Sequence, residues 1–244
     1  MQDFGSRRLG ERHSLPPSTY KGATMKTFLS IGSGPGIGLA TAARFAKEGY
    51  RVILTSRNQT YLAEQVKALT QVGYSAVGRH VDAGDVSSVV SVVNAVESQF
   101  GSIDVLHFNS AAIHDGTVER ETIEGFLQDL TINIGAGFAA IKGALPGMVT
   151  RKEGTLLLTG GALAKSPHPS YLSLSVGKAG VLNLVQGLFG ALKNQGVHIA
   201  TITIGTVVAP NSREAREIAE LFWTLHAQAH ADWTPEVVYP ASQQ

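Results

Sequence analysis

Cysteine is absent from all 244 residues, which excludes disulfides, a thiolate nucleophile and thiolate metal sites, and leaves the redox compartment unread. A surplus of either charge is missing too. Lys and Arg total 20 against 19 Asp and Glu, for a formal charge of +1, so composition makes no case for nucleic acid or an anionic membrane surface as partner. Long hydrophobic runs are also lacking: nothing approaches the roughly 18 uninterrupted apolar residues of a spanning helix, and the N-terminal stretch has no apolar h-region. Internal repeats and heptad arrays are absent as well. The expectation is a soluble protein, cytoplasmic by default, whose partners are small molecules or proteins rather than nucleic acid or membrane.

What is present is enough apolar residue, 43% of the chain, to bury one sizeable core. Residues 1–24 carry Arg7, Arg8, Arg12 and a Pro16-Pro17 pair among few apolar side chains. They read as a mobile extension that burial cannot order, with Met25 as an alternative start. Residues 25–244 read as a single domain. Within it, short apolar strands at 27–31, 51–55, 74–81, 103–108, 155–159 and 197–204 alternate with helical spacing at 39–46, 62–69, 86–100, 123–148 and 171–192, the stretch 123–148 being interrupted by glycines. The sequence 211–214, Asn-Ser-Arg-Glu, offers a cap followed three residues later by glutamate, so a helix is expected from there to about 228. A last short strand follows at 236–239. Near-continuous apolar strands alternating with helices predict an α/β fold, a Rossmann-type doubly wound parallel sheet of about seven strands with helices on both faces.

The most informative segment is the turn after the first strand. Gly32, Ser33, Gly34, Pro35, Gly36, Ile37 and Gly38 join a buried strand to a helix. Glycines at 32, 36 and 38 let the chain turn tightly and let backbone approach a pyrophosphate, which meets the N–H groups and positive dipole end of the helix. A bare corner-turning loop is the plainer alternative.

The glycine spacing, the β-α alternation, Asn109-Ser110-Ala111 after the fourth strand, Asn133 in the helical stretch 123–148 and Lys178 in that at 171–192 together resemble the short-chain dehydrogenase/reductase family over about residues 26–207. The resemblance implies an oxidoreductase that binds a nicotinamide dinucleotide and assembles as a homodimer or homotetramer. It assigns Gly32, Ser33, Gly36, Ile37 and Gly38 to the pyrophosphate, Val81 and Asp82 to adenine, and Asn109 to the adenosine ribose. At the end of the second strand an NAD binder would present a carboxylate to the ribose 2′-hydroxyl, whereas this chain has Ser56-Arg57. Arg57 can pair with a 2′-phosphate, and Ser56 removes the acid that would repel it, so NADP(H) is expected over NAD(H). The alternative is a solvated arginine at a strand end.

By the same resemblance, carbonyl reduction uses a tyrosine four residues before the lysine as proton donor, a serine about thirteen residues further upstream, and an asparagine that holds a water chain to the lysine. Here Asn133 and Lys178 are in place, while the serine position falls at Gly161 and the tyrosine position at Leu174. Leucine has no proton to give. The candidate sources are Tyr171, two helical turns before Lys178 if the helix begins early enough, Ser175, Thr159, or a water held by Lys178 and Asn133. Each has a plainer reading: Tyr171 packing on the loop at 164–169, Lys178 bonding the nicotinamide ribose, Asn133 bending or capping a helix. A cofactor-binding protein without catalysis is the alternative function. Val207 backbone would meet the nicotinamide carboxamide.

His226 and His230 stand four apart on a helix, but without a third ligand they read as a packed or solvated pair, and no metal is expected. Phe222, Trp223, Leu225 and Trp233 read as pocket-closing or edge-packing residues. Ala139, Ile141, Ala144, Leu182, Leu184, Val185, Leu188 and Phe189 are expected to exceed what one sheet face covers and to form subunit contacts.

Overall fold

All seven strands pair in parallel, in the order β3-β2-β1-β4-β5-β6-β7. They are β1 Thr27–Ile31, β2 Arg51–Ser56, β3 Ala76–His80, β4 Val105–Phe108, β5 Gly154–Thr159, β6 Val197–Ile204 and β7 Glu236–Tyr239. A computed structural model of the chain describes residues 25–240; the extension expected over residues 1–24 lies outside the described residues. Strands β1, β4 and β5 are buried along their whole length, which is why their sequences run apolar without alternation.

Helices cover both faces: α1 Ile37–Lys47, α2 Gln59–Gln71, α3 Val86–Phe100, α4 Ile123–Leu130, α5 Ala136–Arg151, α6 Leu172–Lys193 and α7 Arg213–Ala227. Because successive strand residues point to opposite sides, Phe28 joins Phe45, Leu157, Ile218 and Phe222 on one face, and Leu29 joins Val93, Ile141, Leu156 and Val185 on the other. The sheet order reverses between β1 and β4, so the crevice at their carboxyl ends is the natural ligand position of this topology.

Three expectations need correction. The helical region at 123–148 is not interrupted by its glycines; α4 runs through a π-helical turn, Thr131–Gly135, straight into α5. The cap of α7 is Ser212, whose side chain accepts the Ala215 N–H, while Asn211 turns into the left-handed region at φ 57°. The apolar residues expected as subunit surface are mostly core: Ile141, Ala144 and Val185 are at most 2% exposed. The exposed apolar side chains of these helices are instead Ile123, Leu127, Phe138 and Val176.

Two helical stretches, Ile123–Arg151 and Leu172–Lys193, are long and apolar enough to cross a membrane by length and composition. Both contribute core residues to the same sheet face. Phe222 and Leu225 are core, Trp223 packs edge-on against Phe45, and Trp233 stacks on His198, so these aromatics hold the fold together.

Candidate nucleotide and active site

Gly32 leaves β1 with φ +90°, and a Cβ there would meet Ser110 Oγ at 2.5 Å and Ser110 N at 2.7 Å. Only glycine lets the turn touch the end of β4. A Cβ on Gly38 would sit 2.6 Å from the Gly32 carbonyl oxygen, so α1 begins directly against that turn. The helix has Gly36 at its N-cap, no side-chain cap and no acid in its first turn. Its first N–H groups and positive dipole end are thus left for an anion.

A cleft of about 240 Å³ opens beside this turn and collects Gly32, Ser33, Ser56, Arg57, Val81, Asp82 and Asn109 in one lining. Sequence reasoning passed over Gly84 and Ile132, which share it; neither carries a polar side chain that would have marked it. Arg57 is exposed and forms no ion pair among the described residues. Ser33 is committed elsewhere: its hydroxyl accepts the Thr55 N–H at 3.1 Å and donates to Ser30 O, and its own N–H donates to Thr55 O at 2.8 Å. Gly36, Ile37, Gly38, Lys178 and Val207 lie off this lining. Gly36 borders an apolar hollow with Leu39, Ala40 and Ala215, and Val207 is 92% exposed in the loop after β6.

Side chains connect the glycine turn to Lys178. Asn109 Nδ2 donates to Gly32 O at 2.8 Å, and Thr159 Oγ1 donates to Asn109 Oδ1 at 2.8 Å. His107 Nε2 lies 3.1 Å from Thr159 Oγ1, and a donating Nε2–H completes the pattern. Lys178 Nζ donates to the Thr159 carbonyl at 2.8 Å. Desolvation pushes the Lys178 pKa down to about 8 and that of His107 down to about 3.

Asn133 sits in the π-helical turn and is 3% exposed. Its Oδ1 accepts the Ala112 N–H at 2.8 Å, while its buried Nδ2 has no partner among the described residues. Gly177 of α6 packs on it so closely that a Cβ would lie 2.5 Å from Asn133 Cβ. Gly161 is extended, and a Cβ there would meet only the Lys178 aliphatic stem at 3.4–3.5 Å. Leu174 is 6% exposed.

Tyr171 is not brought to Lys178 by helical phase, because α6 begins at Leu172 and Tyr171 is its N-cap. It is 38% exposed, with its ring beside His168. Ser175 Oγ donates to Tyr171 O at 2.7 Å and accepts the His168 N–H. The two histidines expected on one helix are separate: His226 lies on α7 and bonds Tyr50 and Thr155, and His230 lies beyond the helix near Lys193 O.

The parallel sheet, its reversal of order, and the glycine turn opening a capless helix there define a Rossmann-type α/β protein with a nucleotide crevice. More particularly, the chain belongs to the short chain dehydrogenase family, whose pattern spans residues 26–219. It is 28% identical over 187 residues to an uncharacterized oxidoreductase of Bacillus subtilis, covering 76% of this chain and 68% of that one. It is equally 28% identical over 185 residues to a 2,5-dichloro-2,5-cyclohexadiene-1,4-diol dehydrogenase of Sphingobium indicum, covering 76% and 74%. Two solved structures share the fold. A metagenomic short-chain oxidoreductase in complex with NADP aligns with TM-score 0.79 at 22% identity, over 87% of this chain and 95% of that one. An actinorhodin polyketide ketoreductase with NADPH aligns with TM-score 0.79 at 23% identity, over 88% and 95%.

Proposed function

We propose that this protein is an NADP(H)-dependent oxidoreductase acting on a small carbonyl or alcohol. The observation that carries the reading is one cleft in which the glycine turn meets Arg57, linked through Asn109 and Thr159 to Lys178. The residues present fit a dinucleotide: the turn has no room for a Cβ at Gly32 or Gly38, and the helix start has no cap of its own. Two relatives whose structures hold NADP or NADPH support the choice of cofactor.

Bound NADPH would supply the hydride. Arg57 would hold the 2′-phosphate, the α1 N-terminus the pyrophosphate, and Val81 with Asp82 the adenine. Leu174 and Gly161 stand where the family uses a tyrosine and a serine, so the proton must come from elsewhere. Lys178 is suited to the task, because burial brings its acidity close to neutral pH, where general acids work best. It retains N–H protons beyond the one given to Thr159, and passes one to the substrate oxygen directly or through a water shared with Asn133 Nδ2. Tyr171 remains a candidate only if its N-terminal turn rearranges.

Titration of the full chain with NADPH and NADH, followed by a carbonyl panel, tests the reading. Arg57→Ala is expected to weaken NADPH by about 10–100-fold and NADH little, the worth of one or two charge-assisted hydrogen bonds. Equal losses would refute the 2′-phosphate assignment. Reduction is expected to fall as pH rises through about 8, because the donor is the ammonium form of Lys178. Selective NADPH binding with no turnover across the panel would select the binding-only alternative. A homodimer or homotetramer is part of the same proposal, checked by light scattering.

A further inference from the structure

Away from the nucleotide cleft, the β4–α4 connection folds three ligand-type side chains together. His114 Nε2 lies 2.6 Å from Asp129 Oδ2, and the ligand atoms of His114, Glu121 and Asp129 all lie within 4.8 Å of one another. They come from the loop, the approach to α4 and the last turn of α4. Asp129 is 6% exposed, and the Ser173 hydroxyl of α6 also donates to its Oδ2.

The charge balance of this cluster is incomplete. Glu121 Oε2 is enclosed and has no hydrogen-bond partner among the described residues. The neighbouring cation, Arg120, is turned away to Asp115 at 3.0 Å. Two carboxylates therefore face one imidazole, which leaves a net negative charge even when His114 is protonated. Glycine makes the inward fold of Glu121 possible: a Cβ on Gly116 would meet its Oε2 at 2.4 Å, and one on Gly125 its Oε1 at 2.7 Å.

We propose that His114, Glu121 and Asp129 form a divalent transition-metal site, suited to Zn²⁺. Imidazole with two carboxylates is a donor set for Zn²⁺ rather than for the all-oxygen preference of Ca²⁺ or Mg²⁺. The cation would neutralise both carboxylates and replace the proton between His114 and Asp129. Tetrahedral ligands about 2.1 Å from the metal stand about 3.4 Å apart. Binding thus widens the His114–Asp129 pair slightly and draws Glu121 inward. The Ser173 hydroxyl would orient Asp129 from behind, as outer-shell partners do. The His114 side chain is 46% exposed, which provides an entry path and an open fourth position. The site would clasp the β4–α4 loop to α4 and α6, beside the point where Gly116 pairs with Tyr171.

The test is calorimetric titration of chelator-treated full-length protein with Zn²⁺, with Co²⁺ absorption as a second readout of tetrahedral nitrogen and oxygen ligation. One Zn²⁺ per chain is expected. Glu121→Gln, which preserves shape, and His114→Gln are each expected to weaken it by more than the roughly 10–100-fold typical for an outer-shell partner. His230→Gln, on the opposite end of the chain, is expected to leave it unchanged. Wild-type protein that takes up no Zn²⁺, or binding that Glu121→Gln leaves intact, overturns the proposal; neither result bears on NADPH binding.

Discussion

At position 174 a buried leucine meets no hydrogen-bonding demand, and at 161 a glycine beside the Lys178 stem offers no hydroxyl. On the proposed reading these two residues shift the burden of proton donation onto Lys178. The added Cβ of a Gly161→Ser change meets only aliphatic atoms of Lys178 at 3.4–3.5 Å, an ordinary contact distance. The double change Leu174→Tyr with Gly161→Ser is therefore expected to raise kcat for carbonyl reduction by about 10²-fold or more, the usual worth of a positioned general acid. Steady-state NADPH oxidation measures it. An unchanged kcat would mean that Lys178 already supplies the full effect, or that proton transfer does not limit the rate.

Helix α6 and the α4–α5 helix meet through a row of small and polar contacts: Ser173 on Asp129, Gly177 on Asn133, and Gly180 on Ile134. The four-residue step from Ser173 to Gly177 on α6 matches that from Asp129 to Asn133 on the other helix, so the π-helical turn is held in register with α6. Gly177→Ala would place a Cβ 2.5 Å from Asn133 Cβ and 2.9 Å from its Nδ2, where a buried backbone cannot yield cheaply. The expected cost is about 1–3 kcal/mol in a urea melt, with Asn133 displaced. Much of this level was legible in advance. Strand positions followed from apolar runs, and the glycine turn marked the nucleotide crevice through backbone requirements that only glycine meets. The π-helical turn was not legible, since glycines at 135 and 137 look like breaks until Phe108, 2.9 Å from where a Gly137 Cβ would sit, shows that Gly137 admits a neighbour. The cluster of His114, Glu121 and Asp129 was also invisible, because its members are spaced by loop geometry rather than by a period.

Across the whole molecule, stability should depend on acid in a way set by two histidines packed on the same face of the sheet, His107 against Phe28 and Phe222 and His226 against Phe45. His107 of β4 is fully buried, and His226 of α7 is held between Tyr50 and Thr155. Burial pushes their pKa values down to about 3 and about 4, against 6.5 for an unperturbed imidazole. Above pH 6.5 both are neutral whether folded or not, and the fold has its full stability. As pH falls below 6.5 the unfolded chain takes up protons that the folded chain refuses, so stability declines until the folded values are reached. Each group then removes about 1.4 kcal/mol per pH unit, or about 2 kcal/mol by pH 5. His114 acts in the opposite sense, because Asp129 raises its pKa, but its half-exposed side chain is screened by solvent and offsets little. The carboxylates whose pKa values are lowered by their partners begin to lose their contribution only as pH falls through the usual carboxylate value of 4.5, below this window. Urea midpoints measured at pH 7 and pH 5 are therefore expected to differ by about 3–4 kcal/mol in unfolding free energy. A flat profile between those pH values would show that the two imidazoles reach water more readily than their packing implies.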